Sequence, residues 1–352
     1  MSYKKRTRDY GVIIGELPTG KQNLITDVDG VTVGQVTLDD GEIQTGVSAI
    51  LPHQGNLFQE KVMGASHIIN GFGKTIGTVQ LDELGTIEAP IVLTNTLSVG
   101  TAASAVIDYT LQNNEEVGRT TGTVNPVAGE CNDMVLNDIR KQSITKRHVL
   151  SAIKNASSHF EEGSVGAGRG MLCYSLKGGV GSSSRLIELP HGTYTLGVYA
   201  VSNFGTLKDL TINGRAVGRT LTSILKEKRE SEKGSIMLIA ATDLPLTERQ
   251  LKRILKRSVV GLTRTGSIIS NGSGDIVIGF STAVRIPHEH PDSLLHFSCL
   301  HEEDMDLAFR AIGEASEEAV LNSLFTATHI IGRNQHDRPT LSALLEKYEI
   351  NL

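Results

Sequence analysis

A mixed α/β fold is the class this sequence predicts, on three observations. Apolar, β-rich runs bounded by Gly, Asn, Asp or Pro recur along the chain, and helical patterns lie between them. Hydrophobic segments also continue at even density from about residue 25 to 345, with no fixed-period repeat and no long Pro/Ser-rich linker. One domain over 1–352 is therefore the simplest organisation, and 352 residues with 39% hydrophobic content can bury a substantial core.

The strand-like runs fall at 31–36, 67–69, 90–93, 195–201, 235–241 and 275–280, each short and closed by turn residues. The helical patterns fall at 100–111, 144–160, 217–227, 247–260 and 303–325. The last opens on Glu302, Glu303, Asp304 and Asp306, the charge that a helix N-terminus favours, and offers Leu307, Ile312, Ala315 and Val320 as its inner face.

Charge and cysteine content narrow the function classes. Lys and Arg total 34 against 39 for Asp and Glu, a formal charge of -5 with both signs dispersed, which leaves no electrostatic footprint for nucleic acid. Cys131, Cys173 and Cys299 are odd in number and contain no CxxC pair, so neither a disulfide framework nor a cysteine-rich zinc site is indicated, and a reducing compartment fits. The basic start has only residues 12–14 as an apolar segment before Glu16 and Pro18, which does not make a signal peptide. No apolar run approaches the roughly 20 residues of a membrane span. A soluble, cytoplasmic protein is expected, with no membrane partner. Thirty-seven glycines and no tryptophan point to loops and close backbone approaches as the working surfaces.

Several motifs fail on spacing. NGFGKT (70–75) has Ile68 where a phosphate loop requires glycine, VGAGRG (165–170) lacks the full GxGxxG spacing, and no GxSxG elbow is present. His288 and His290, in PHEHP, have no identifiable third ligand, so no metal and no cofactor is assigned. Lys177 opens KGGVGSSSR (177–185), which reads either as an anion contact or as a glycine-serine turn between strands.

Two segments carry more chemistry. In LKEKRESEKG (225–234) seven of ten residues are charged, and core sequence begins at once with Ser235. This is either a solvated helix end capped by Gly234 or a processing site between Gly234 and Ser235, giving pieces 1–234 and 235–352. In TGSIISNGSGDIVIGFSTA (265–283), Ser273 and Asp275 share the parity that puts both on one side of an extended chain. SGD alone is a common turn, but paired with Ser235 it gains meaning. A serine hydroxyl is a weak nucleophile until its proton is taken, and a freed α-amino group with a pKa near ~7.7–8.0 can take it at neutral pH. A second hydroxyl backed by a carboxylate can hold or relay that proton.

Taken together, NGFGK (70–74), NTLSVG (95–100), GECND (129–133) with LNDI (136–139), VGAGRGM (165–171), KGGVGSSSR (177–185), SNFG (202–205), GSIMLIAATDLPL (234–246) and NGSGD (271–275) resemble the DmpA-type family of self-processing aminopeptidases, over roughly residues 20 to 330. That family includes the L-aminopeptidase/D-esterases and the β-peptidyl aminopeptidases. The resemblance implies a four-layer αββα sandwich similar to the N-terminal nucleophile hydrolases, and a precursor that cleaves itself before Ser235. It further implies that Ser235 is the nucleophile, that Ser273 and Asp275 complete a Ser/Ser/acid network with Asp where some members carry Glu, and that Asn203 donates to the developing oxyanion. Glu130 would hold the free ammonium of a short peptide, aminoacyl amide or ester. Met134 and Val135 stand where the family often has glycine and an aromatic residue. The family is usually oligomeric, which implies a homo-oligomer. Acyl transfer, as in the ornithine acetyltransferase group that cleaves before threonine, and a non-cleaving scaffold remain as alternatives.

Overall fold

A computed structural model describes residues 4–225 and 234–352. One sheet carries, side by side, β1 (Thr32–Asp40), β2 (Ile43–Leu51), β6 (Ile91–Asn95), β7 (Val127–Cys131) and β4 (Thr75–Ile76), with β6 and β7 parallel. The other carries β10 (Gly179–Leu189), β11 (Gly192–Asn203), β12 (Ser235–Thr242), β13 (Gly274–Pro287), β3 (Glu60–Gly71) and β5 (Thr86–Ile87). In that sheet only β12 and β13 run parallel. A short hairpin, β8 (Leu172–Cys173) and β9 (Leu176–Lys177), lies beside them.

Three apolar cores separate four layers. Val198, Ala200, Ile236, Leu238 and Val277 face the helices α5 (Glu248–Leu255), α6 (Ser258–Arg264) and α7 (Met305–Phe325). The alternate residues of the same strands, Tyr199, Val201, Met237, Ile239, Ile276 and Ile278, join Ile50, Leu93 and Val127 of the facing sheet. A third core, with Val47, Val92, Ala102, Val106, Val149 and Ala152, packs α2 (Val99–Asn113) and α3 (Lys146–Lys154) on the first sheet. Period-two alternation with both faces buried is why β12 reads as an unbroken apolar run. The arrangement is the αββα sandwich. Helices α4 (Val217–Leu225) and α8 (Leu341–Lys347) add Val217, Leu221, Leu341 and Leu344 to the first core, α1 (Thr78–Leu84) adds Leu81 to the second, and among the described residues no helix is long and apolar enough to cross a membrane.

Several elements depart from the sequence expectation. The segment 177–185 is not a turn: Lys177 closes β9, and 179–185 lies inside β10. Its serines are buried because they bond inward. The Ser182 hydroxyl accepts from the Ile25 N–H, Ser183 donates to the Ala315 carbonyl, and Ser184 donates to Asp27. The helix expected over 144–160 ends at Lys154, because Ser157 leaves it to exchange both backbone hydrogen bonds with Val33. The pattern at 247–260 splits into α5 and α6, and residues 226 and 227 of the 217–227 pattern lie outside the described residues. On α7, Ile312, Ala315 and Val320 are buried and Leu307 only half so, but Glu314, Glu317 and Glu318 are buried too.

Those acids explain how α7 is held. Arg185, fully buried on β10, bonds Glu314 at 3.1 Å and Glu318 at 2.7 Å, and also donates to the Ile14 carbonyl. Arg8 and Asn23 reach Glu318 from the N-terminal segment. Burial pushes the Glu318 carboxyl up, but the Arg8 hydrogen bond and the Arg185 and Arg8 charges outweigh it and hold the group below its ordinary range. Removing one partner of such a pair leaves uncompensated buried charge. Arg185→Met is therefore expected to lower unfolding free energy by about 3–5 kcal/mol in urea titration, and a loss under about 1 kcal/mol would show that the carboxylates find other partners.

Candidate active site

Three strand ends meet at one point. Ser235, the first residue of β12, pairs with Asn203, the last residue of β11, on one side and with Gly274, the first of β13, on the other. The preceding Gly234 is pressed against the turn after β11. A Cβ there would stand 2.1 Å from the Asn203 carbonyl oxygen and 2.7 Å from the Phe204 Cα, so only glycine fits. The Gly234 carbonyl accepts a hydrogen bond from the Gly274 N–H at 3.1 Å.

The Ser235 hydroxyl is buried and makes no hydrogen bond of ordinary geometry among the described residues. Its neighbour from the facing sheet is Cys131, at the end of β7. Burial pushes that thiol up, the Glu130 charge adds to the rise, and the approach of Ser235 only partly offsets it; the buried thiol donates to the Val201 carbonyl at 3.5 Å. Beside Gly274, the Ser273 hydroxyl donates to Asp275 Oδ1 at 2.6 Å, with both residues buried. The loop that carries Ser273 is clamped by Asn70, whose amide donates to the Ser270, Asn271 and Ser273 carbonyls.

Asn203 is nearly buried, and its side chain is oriented at both ends. Oδ1 accepts from the Leu172 N–H at 2.9 Å, and Nδ2 donates to the Asn132 carbonyl at 3.0 Å. An amide nitrogen carries two hydrogens, and Asn132 takes one.

Glu130 lies on β7, across the space between the sheets. Its carboxylate accepts from the Lys74 N–H at 3.0 Å and from the Thr96 hydroxyl, and the Lys74 ammonium lies 4.0 Å away. Gly73 separates it from β13: a Cβ at 73 would be 3.7 Å from Glu130 Oε1 and 3.3 Å from the Gly274 Cα. The acid is thus one glycine away from the strand partner of Ser235. Asp133, two residues beyond Cys131, is buried, and burial pushes its carboxyl up to about 7 against hydrogen bonds from Thr45, Asn137 and Asn95. Phe72, Leu97 and Met134, each adjacent in sequence to a residue of this cluster, are exposed.

The structure therefore brings together Ser235, Gly234, Ser273, Asp275, Asn203 and Glu130 around the ends of β11, β12, β13 and β7. His288 lies elsewhere, its ring tilted against Phe58 with centroids 4.3 Å apart and bonded to Thr121, and no metal-binding group of His, Cys, Asp and Glu occurs among the described residues. Thr96, Lys74, Asn70 and Leu172 join the cluster without having been singled out from sequence. The signal was present, since NGFGK and NTLSVG contain three of them, but their roles depend on β3 and β6 ending at the same place as β7.

The sequence pattern of Peptidase family S58 matches residues 23–338. The beta-peptidyl aminopeptidase BapA of Sphingosinicella microcystinivorans is 36% identical, with 97% of this chain and 92% of that protein covered. The crystal structure of the PH0078 protein from Pyrococcus horikoshii OT3 superimposes with a TM-score of 0.92 at 46% identity, covering 98% of this chain and 99% of that one. The L-aminopeptidase D-Ala-esterase/amidase of Ochrobactrum anthropi, described as a prototype serine aminopeptidase and a variant of the Ntn hydrolase fold, gives 0.89 at 33% identity over 99% and 100%.

The packing at residue 234 carries its own test. If the chain cleaves itself between Gly234 and Ser235, Gly234→Ala is expected to slow the appearance of fragment 235–352, followed by intact mass, on the order of 10²-fold, because the methyl displaces the bond. An unchanged rate would show that this contact does not align it.

Proposed function

The chain belongs to peptidase family S58 and is a serine aminopeptidase of the N-terminal nucleophile hydrolase type; on that premise we propose that Ser235 is the nucleophile and that it is freed by self-cleavage after Gly234. The observation that carries the proposal is the junction of strand ends, where a buried Ser235 hydroxyl meets a glycine carbonyl already engaged by the Gly274 N–H. In processing, Ser235 Oγ attacks the Gly234 carbonyl carbon, and the Gly274 N–H stabilises the oxygen that becomes negative. The amide nitrogen leaves as the new α-amino group of Ser235, and water hydrolyses the resulting ester. The products are chains 1–234 and 235–352 of one domain.

In turnover, the α-amino group takes the Ser235 Oγ proton as Oγ attacks the substrate carbonyl. The Ser273 hydroxyl, held on Asp275, stabilises the ammonium that forms, the proton passes to the departing amine, and water activated by the same α-amino group then cleaves the acyl ester and restores the Ser235 hydroxyl. The Asn203 amide donates to the oxyanion, a contribution of roughly 2.7–4 kcal/mol in other hydrolases. Asp275 is one methylene shorter than Glu, and its 2.6 Å bond to Ser273 supports its serving the same purpose. Glu130 holds the substrate ammonium and sets the scissile bond one aminoacyl unit away, which makes the activity exopeptidic. Substrates are short peptides, aminoacyl amides or esters, taken up in the cytoplasm by a homo-oligomer. Acyl transfer is not favoured with serine at 235.

Intact mass spectrometry of wild type beside Ser235→Ala tests the nucleophile. Fragments 1–234 and 235–352 in wild type, with one uncut and inactive chain in the variant, are expected; cleavage of the variant would remove Ser235 from the role. Glu130→Gln is expected to raise KM for an aminoacyl amide by roughly tenfold or more, matching the ~1.5–3 kcal/mol of a charged hydrogen bond. Equal KM values in the two proteins would place ammonium recognition elsewhere.

A further inference from the structure

Lys177 is among the largest fully buried side chains of the protein, and no carboxylate lies within ion-pair distance of it among the described residues. Its ammonium instead donates to three backbone carbonyls, those of Gly168 at 3.3 Å, Met171 at 2.8 Å and Gly178 at 2.6 Å. Three donors meet three acceptors, and the acceptors flank the β8–β9 hairpin: Gly168 and Met171 precede β8, and Gly178 follows β9. Burial pulls Lys177 well below the ordinary lysine range, and the Arg169 charge adds to this. A lysine buried at that cost, with its side-chain nitrogen on three backbone carbonyls, points to a task that an apolar side chain would not perform.

The segment it gathers is the one that orients Asn203. Leu172, next to Met171, gives its N–H to Asn203 Oδ1, and Tyr174 gives its N–H to the Phe204 carbonyl at 2.6 Å. Gly178 donates to the Met171 carbonyl at 2.9 Å, closing the base of the β8–β9 hairpin. The tip of the hairpin is strained, with Tyr174 and Ser175 at φ 52° and 59°, a conformation that persists only where surroundings impose it. An amide side chain must send its nitrogen opposite to its oxygen, so the Leu172 N–H decides where the Asn203 nitrogen points.

We propose that Lys177 is a positioning residue for catalysis: by tying the carbonyls of Gly168, Met171 and Gly178 together, it fixes the Leu172 N–H and thereby aims the Asn203 amide at the forming oxyanion. The proposal rests on Asn203 serving as oxyanion donor. Lys177 does not touch substrate.

The test compares wild type, Lys177→Met, Asn203→Ala and the double variant, each as processed protein quantified by mass, on one aminoacyl amide. Asn203→Ala is expected to lower kcat on the order of 10²-fold. Lys177→Met is expected to lower kcat by about tenfold or more with KM within about twofold, as for a misaligned group, and the double variant to be no slower than Asn203→Ala alone. Wild-type kcat in Lys177→Met, or losses that multiply in the double variant, would overturn the proposal while leaving the oxyanion assignment standing. Wild-type kcat in Asn203→Ala would instead overturn that assignment and this proposal with it. If Lys177→Met does not fold, Gly178→Ala carries the same test, since its Cβ would meet the Ser202 carbonyl oxygen at 2.7 Å and lift the segment from β11. It is expected to lose kcat without adding to Asn203→Ala, and full activity would overturn the proposal.

Discussion

No side chain fits at position 234, because its Cβ would stand 2.1 Å from the Asn203 carbonyl oxygen. That contact brings the chain onto the end of β11 in one register, so that Ser235 becomes the first residue of β12 and faces Asn203 across the ladder. The same register sets Ser235 beside Gly274, with Ser273 and Asp275 on either side. The junction stays in place because the strands behind it are buried on both faces, between the helix layer and the facing sheet. The groups we propose for catalysis are thus carried on strand ends, where position is set by the sheet rather than by a loop.

Buried charge is handled in two ways in this molecule. Arg185 is matched by Glu314 and Glu318, and this pairing fastens α7 and the N-terminal segment to β10. Lys177 has carbonyls instead of acids, and what it fastens is a strained hairpin against the end of β11. Both arrangements carry a desolvation cost and are stable only when every donor is used. The first is a matter of assembly, the second of aim.

The sequence makes some of this legible for identifiable reasons. The buried strand β12 and the buried stretch 276–280 of β13 are continuous apolar runs, and the turn residues before Asp275 announce where β13 starts. β10 is hidden because Ser182, Ser183 and Ser184 are polar residues whose hydroxyls are satisfied inside the core. The pairing of Ser273 with Asp275 follows from local parity, and the structure joins them by a hydrogen bond. Glu130 with Thr96 and Lys74, or Asn203 with Leu172, is a contact between segments far apart in the chain. Such contacts depend on strand order and register, which no local pattern encodes. The resemblance of spaced motifs supplied what periodicity did not.

Covalent labelling with a sulfonyl fluoride, followed by peptide mapping, is the most direct measurement. A single sulfonyl group on Ser235, found as the amino-terminal residue of fragment 235–352 and appearing in step with loss of amidase activity, is the predicted result. A label on another serine, or on Ser235 within an uncut and active chain, would contradict it.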